Sequence, residues 1–146
     1  MNLLLVHGPN LNLLGERKPE IYGRTTLLDI ETDVAAAAGS RGAAVLCFQS
    51  NHEGALVDRI HVARTDGTTF LIINAGAFTH YAYALADALA TFDGVKVELH
   101  LSNPGAREPW RHVSVLTPVV DGVIAGLRGT GYRLAIEGVA ARLEEQ

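Results

Sequence analysis

The chain predicts an α/β fold, a parallel sheet with helices on both faces, and two features carry that prediction. Apolar, β-rich runs alternate with helical runs across short turns of Gly, Asp and Ser, the pattern of right-handed βαβ crossovers. The first run, Leu3 to Val6, is continuously apolar, as a strand covered on both faces must be. A third feature locates the chemistry. Asn10, Ser50 to Glu53, Asn74, His100, Ser102 and Asn103 all follow the carboxyl ends of strands, whereas the opposite ends carry ordinary turn residues. In open parallel sheets ligands bind at that rim, near the point where strand order reverses.

Taken in order, the first strand stops at His7-Gly8-Pro9-Asn10, because Pro9 lacks an N–H and fixes its own φ while Gly8 permits an unusual turn. The polar stretch from Asn10 to Tyr22 carries Asn12, Glu16, Arg17, Lys18 and Glu20; connections of that length inside a domain are usually functional. Thr25-Thr26 offers an N-cap for an amphipathic helix over LLDIETDVAAAA, which Gly39 to Gly42 ends. Ala43 to Phe48 reads as the second strand, followed by a helix through Arg64 and a turn at Asp66-Gly67. Thr69 to Ile73 is the third strand, β-branched and aromatic, and Thr79 then caps a helix running to Phe92. Val95 to His100 is the fourth strand, and the Pro- and Gly-punctuated segment LSNPGAREPWRH after it is too polar for a core element. Val119 to Ala125 is the fifth. Gly126 to Gly131 leads into a last helix, YRLAIEGVAARLEE, which Gly138 weakens without forbidding.

The 146 residues suit one domain, 1–146, with no repeat or linker dividing it. An apolar content of 48% and a net charge of −4 describe a soluble protein without the basic stripe that nucleic acid requires. A small anionic substrate would need local arginines instead. Cys47, the lone cysteine, lies in the apolar run AAVLCFQS, so a buried, inert thiol is expected and no disulfide framework. No apolar run approaches the ~20 residues of a membrane span and no charged-then-apolar leader is present, which predicts a cytoplasmic protein.

Several familiar sites are excluded by motif. There is no His-Glu-x-x-His or Cys-x-x-Cys, and the six histidines lack metal-ligand spacing, so no metal is expected. There is no Gly-x-Ser-x-Gly elbow. Gly126-Leu127-Arg128-Gly129-Thr130-Gly131 lacks the dinucleotide spacing and reads as a strand-to-helix turn. Lys18 sits in an open loop and Lys96 near a strand's start, so neither reads as a desolvated Schiff-base amine. Acid and base work by His, Tyr and Arg remains. Alternation along the fourth strand puts Lys96, Glu98 and His100 on one face. A carboxylate beside an imidazole fixes its tautomer and favours its protonated form, as a general acid requires; a core histidine beside a structural salt bridge is the alternative. Tyr22 can act as a base only as phenolate, which a neighbouring Arg17 would favour, and on spacing alone it reads equally as a packing residue.

HGPNLNLLGERKPEIYG, QSNHEG, NAGAFTH, VELHLSN, AREPWRH and the turn from Gly126 to Leu134 together resemble, in order and spacing, the type II 3-dehydroquinate dehydratases, also called type II dehydroquinases. The likeness covers almost the whole chain. It implies a flavodoxin-like three-layer sandwich with a five-stranded parallel sheet of order 2-1-3-4-5, and no cofactor. The implied reaction converts 3-dehydroquinate to 3-dehydroshikimate by anti elimination of water through an enolate, in aromatic amino-acid biosynthesis or quinate breakdown. The implied assembly is a dodecamer of four trimers. Carried over by position, Tyr22 is the base and Arg17 lowers its pKa, Asn10 holds a water that stabilises the enolate, and His100, oriented by Glu98, protonates the departing hydroxyl. Asn74, Leu101 and Ser102, with His80, Arg107 and Arg111, grip the carboxylate and ring hydroxyls, and Asp87 reaches a neighbouring subunit's site. Closure of the loop from Asn12 to Tyr22 excludes water.

The chain departs from that pattern in places. His7 stands where the family usually has Asn, Lys18 where it usually has Glu, and Gly105 where His is common, while Tyr81, Ala82 and Ala86 replace a usual Thr, Ser and Arg. Lys18 changes the charge beside Arg17, where lid closure would feel it, and the substitutions near Asp87 bear on the trimer contact. A second reading is therefore a paralogue that binds a related hydroxy acid or serves as a non-catalytic module; intact Arg17, Tyr22 and His100 argue against it.

Overall fold

A computed structural model of the chain describes residues 1–145. Five strands, β1 (Asn2–His7), β2 (Ala44–Gln49), β3 (Phe70–Asn74), β4 (Val95–His100) and β5 (Gly122–Ala125), form one parallel sheet ordered β2-β1-β3-β4-β5. The helices are α1 (Pro19–Tyr22), α2 (Leu27–Gly39), α3 (Glu53–Ala63), α4 (Tyr83–Ala90) and α5 (Thr130–Glu144). This is the expected α/β architecture and strand order.

Two apolar layers sandwich the sheet. Leu3 and Leu5 of β1 face Ile30 and Val34 of α2 and Tyr132, Ile136 and Val139 of α5. Leu4 and Val6, pointing the other way, face Leu56 and Ile60 of α3 and Leu85 and Leu89 of α4. Both faces of β1 are thus sealed, which is why its sequence does not alternate. Each such side chain contributes roughly 1.5–3 kcal/mol on burial. The strand that leads into the site is therefore also firmly anchored.

Local signals placed some boundaries and missed others. Thr26 caps α2 through a reciprocal capping box with Asp29 (Asp29 N–H to Thr26 Oγ1, 3.1 Å; Thr26 N–H to Asp29 Oδ2, 2.9 Å). Thr79 does not cap α4. It lies buried within a 3-10 turn, Gly76–His80, and the helix begins at Tyr83, because the chain turns tightly after Asn74 and the Thr79 carbonyl accepts from the Val115 N–H (2.9 Å). The fifth strand begins at Gly122 rather than Val119, since Thr117–Val119 coils into a 3-10 turn around Pro118. Cys47 is exposed rather than buried. β2 is an edge strand, so a fully apolar run there is not fully covered. The thiol is nonetheless partly desolvated, and that, with the charge of Glu31, pushes it up to about 11, where it stays protonated and unreactive. Among the described residues no helix is long and apolar enough to cross a membrane.

Candidate active site

At the carboxyl end of β1 the chain turns at Gly8, whose N–H donates to the Asn74 carbonyl of β3 (2.8 Å). The approach is so close that a Cβ on Gly8 would lie 2.3 Å from the Ala75 carbonyl oxygen. Asn10 follows in the left-handed region (φ 67°), which Asn tolerates better than most residues, and its N–H donates to Asn51 Oδ1 (3.0 Å). After a 3-10 turn at Leu11–Leu13, Gly15 and Gly23, both at positive φ, bracket α1. A Cβ on Gly15 would come within 2.9 Å of the Arg24 carbonyl oxygen, so the two ends of this segment meet, as in an Ω-loop.

That closed loop brings Arg17 and Tyr22 together, with Arg17 Cζ 5.2 Å from the centre of the phenol ring. Arg107, from the polar segment after β4, adds a second cation: its Cζ lies 5.1 Å from the same ring, and Nη2 donates to Tyr22 Oη at 2.9 Å. Nη1 of Arg107 donates to Ser102 Oγ (3.2 Å). Loop spacing pairs Tyr22 with Arg17, and the family resemblance gives Arg107 only to the substrate. Nothing in local spacing could reveal a partner on the far side of the sheet's connectivity.

β4 supplies the other half. His100 Nε2 lies 2.7 Å from Glu98 Oε1, and Glu98 is almost wholly buried. Burial alone would push this carboxyl up, but hydrogen bonds from His100, Thr117 (Oγ1 to Oε2, 2.6 Å) and Ser114 (Oγ to Oε1, 2.7 Å) outweigh it and hold it below the usual range. Glu98 is therefore an ionised acceptor, Nε2 of His100 carries a proton, and Nδ1 is the nitrogen left for other chemistry. Ser114 and Thr117 were not singled out by sequence, since a pair of hydroxyls in a turn-rich segment carries no motif. Lys96 does not join the pair; its Nζ donates to the Phe92 and Gly94 carbonyls.

His80 Nδ1 donates to the Val113 carbonyl (2.7 Å). Burial, together with the nearby charges of His100 and Arg111, holds its pKa below the ordinary value against the pull of that carbonyl. The ring is neutral near pH 7, with Nε2 as a bare acceptor. Arg111 pairs with Glu108 and stacks on Trp110, Cζ 3.9 Å from the ring centre. Asn74 is buried, and its Oδ1 accepts from the Gly76 N–H (3.2 Å).

One cavity at the carboxyl rim collects these groups. Asn10, Arg17, Tyr22, Asn74, His80, His100, Leu101, Ser102, Arg107 and Arg111 all line it. Glu98 stands behind His100, and Asp87 is elsewhere, exposed on α4. The lining offers a phenol flanked by cations, an imidazole fixed by a buried carboxylate, amide and hydroxyl donors, and arginines for an anion. Such a site can move protons at a small anionic substrate. Among the described residues no cluster of His, Cys, Asp and Glu is placed to hold a metal ion.

The chain has counterparts among known proteins. The family profile described as Dehydroquinase class II matches residues 1–140. A 3-dehydroquinate dehydratase from Xanthomonas oryzae pv. oryzae (strain PXO99A) is 57% identical over 143 residues, covering 98% of this chain and 97% of that protein. One from Xylella fastidiosa (strain M23) is 54% identical over 142 residues, covering 97% and 96%. Among solved structures, the type II dehydroquinase from Butyrivibrio crossotus DSM 2876 superposes with a TM-score of 0.93 at 44% identity, covering 95% of this chain and 97% of that one. The type II dehydroquinase from Propionibacterium acnes gives 0.92 at 40%, covering 96% of each. With sequence and fold in agreement over nearly its full length, the chain belongs to the class II dehydroquinase family.

Proposed function

We propose that this protein is a type II 3-dehydroquinate dehydratase that eliminates water from 3-dehydroquinate through an enolate to give 3-dehydroshikimate. The observation that carries the reading is the pairing, in one cavity, of Tyr22 beside two guanidinium groups with His100 held by buried Glu98. Tyr22, as phenolate, takes the proton beside the ketone, and positive charge from Arg17 and Arg107 stabilises that anion. The electron pair moves onto the ketone oxygen, where a water held by Asn10 supports the enolate. Collapse of the enolate forms the ring double bond and breaks the C–O bond, and His100, entering the step with a proton on each ring nitrogen and its Nε2–H held by Glu98, gives the Nδ1 proton to the departing hydroxide, releasing water. Arg111 and the backbone at Leu101 and Ser102 hold the carboxylate, while Asn74 and the bare Nε2 of His80 accept ring hydroxyls. Asp87 contributes to a neighbouring copy's site within a dodecamer of four trimers in the cytoplasm.

Absorbance of the conjugated enone on adding 3-dehydroquinate tests the activity. Separating the two proton transfers tests the roles. Tyr22→Phe should lose both product formation and exchange of the substrate's reactive α-proton with heavy water. His100→Ala should lose product by roughly a hundred- to ten-thousand-fold, the usual effect of removing one general acid or base, yet still exchange that proton. Exchange by the Tyr22 variant but not by the His100 variant, read by NMR, would reverse the assignment.

A further inference from the structure

We infer that Arg128 is a positioning residue for Tyr22, bracing the neck of the loop that carries it; the inference rests on the proposed role of Tyr22 as the base. Arg128 sits between β5 and α5 in the left-handed region (φ 51°), a conformation in which glycine is the favoured residue. Strained backbone of this kind persists where the surroundings over-determine it, and here they do. Its N–H donates to the Leu101 carbonyl (3.0 Å) and its own carbonyl accepts from the Gly131 N–H (3.2 Å). The preceding glycine of the turn, Gly126, is itself at positive φ, and a Cβ there would touch the Asn103 side chain at 3.4 Å. The turn therefore leans on Leu101–Asn103, part of which lines the cavity.

The side chain reaches the other way. Arg128 Nη1 lies 3.1 Å, Cδ 3.9 Å and Cζ 4.0 Å from the place a Cβ would occupy on Gly23. The guanidinium thus covers the bare α-carbon of the residue directly after Tyr22. Gly23 is the end cap of α1, and its N–H donates to the Pro19 carbonyl (2.8 Å). Its neighbour Arg24 presents the carbonyl on which Gly15 packs. Arg128 therefore presses on the point where the two ends of the loop meet, while its backbone is tied to the cavity rim. Asp29 and Asp33 of α2 share the surface groove beside it, but no hydrogen bond or ion pair from the Arg128 guanidinium to either exists among the described residues. Its contact is with the loop. By fixing the neck against the rim, Arg128 raises the fraction of molecules in which Tyr22 already stands at the cavity, so that substrate binding has less ordering to do.

Arg128→Gly separates this role from the turn itself, because glycine suits the backbone conformation and removes only the side chain. Arg128→Lys keeps the charge and loses the planar cover. In the Arg128→Gly protein, amide deuterium exchange over residues 16–23 should quicken by about tenfold while exchange in α5 stays as in the parent. KM for 3-dehydroquinate should rise by a similar factor with a smaller change in kcat, as expected when the competent population falls. Arg128→Lys should recover part of both effects. Unchanged exchange over 16–23 would overturn the brace, as would faster exchange confined to the β5–α5 turn and α5, which would assign Arg128 to the turn alone. The exchange measurement needs no turnover. A parent protein inactive on 3-dehydroquinate would therefore sink the proposed reaction and leave exchange to decide the brace by itself.

Discussion

His7 shows how a single buried side chain sets a pH limit on this fold. It is wholly buried at the end of β1, with neither ring nitrogen hydrogen-bonded among the described residues. Its ring meets Tyr132 edge to face at 6.2 Å, and Nε2 lies 3.5 Å from Glu31 Oε1. Burial pushes His7 down to about 4, so at neutral pH the ring is uncharged and the contact with Glu31 is not an ion pair. In the unfolded chain the same ring takes a proton near its ordinary 6.5. Between those two values the unfolded state binds more protons, so stability is full above 6.5 and falls as pH drops towards 4. The gap amounts to roughly 3 kcal/mol at the acid end. Glu31 works in the opposite sense, since burial raises its pKa, which makes comparison of variants the cleaner measurement. Urea unfolding at pH 7.5 and pH 5 should show a marked loss in the parent and a smaller one in His7→Asn; equal losses would mean that another group carries the effect.

At the scale of elements, the junction of β1 with β3 sets where Asn10 and Asn74 stand at the cavity rim. Gly8→Ala would drive a methyl group to 2.3 Å from the Ala75 carbonyl oxygen and strain the Gly8 N–H bond to Asn74. One of the two strand ends must then move, carrying Asn10 or Asn74 away from the cavity. The expected outcome is a folded protein destabilised by about 1–3 kcal/mol, the cost of overpacking, with kcat/KM down by at least about tenfold because misplacement of about 1 Å costs as much or more. Near-normal kcat/KM would show that the junction flexes. This element also shows what the sequence could disclose. β1, its abrupt end at Gly8-Pro9 and the polar rim were legible because a doubly covered strand and a breaker each leave a local mark. The burial of Glu98 among His100, Ser114 and Thr117 and the hold of Arg107 on Tyr22 were not, because they depend on how distant loops meet. The edge position of β2 was equally hidden: AVLCFQ reads as core, and only the strand order leaves Cys47 uncovered.

At the scale of the whole molecule, Asp87 poses the question that one chain cannot answer for itself. It is exposed on α4, among the exposed Tyr81 and Tyr83, and does not line the chain's own cavity. A carboxylate in that position can serve catalysis only in trans, by reaching the cavity of a second copy. Mixing inactive subunits tests this directly. A Tyr22→Phe subunit keeps Asp87 and loses its own phenol hydroxyl; an Asp87→Ala subunit keeps that hydroxyl and loses the carboxylate that it would lend. If Asp87 acts across an interface, dissociating and reassociating a mixture of the two variants creates cavities with Tyr22 from one chain and Asp87 from its neighbour. Activity should then exceed that of either variant alone, and dilution that dissociates the assembly should abolish it. If Asp87 acts within its own chain, each cavity in the mixture still lacks one group, and activity stays at the average of the two parents. Sedimentation in the same buffers closes the remaining route: a fully active monomer would remove the trans role whatever the mixture does.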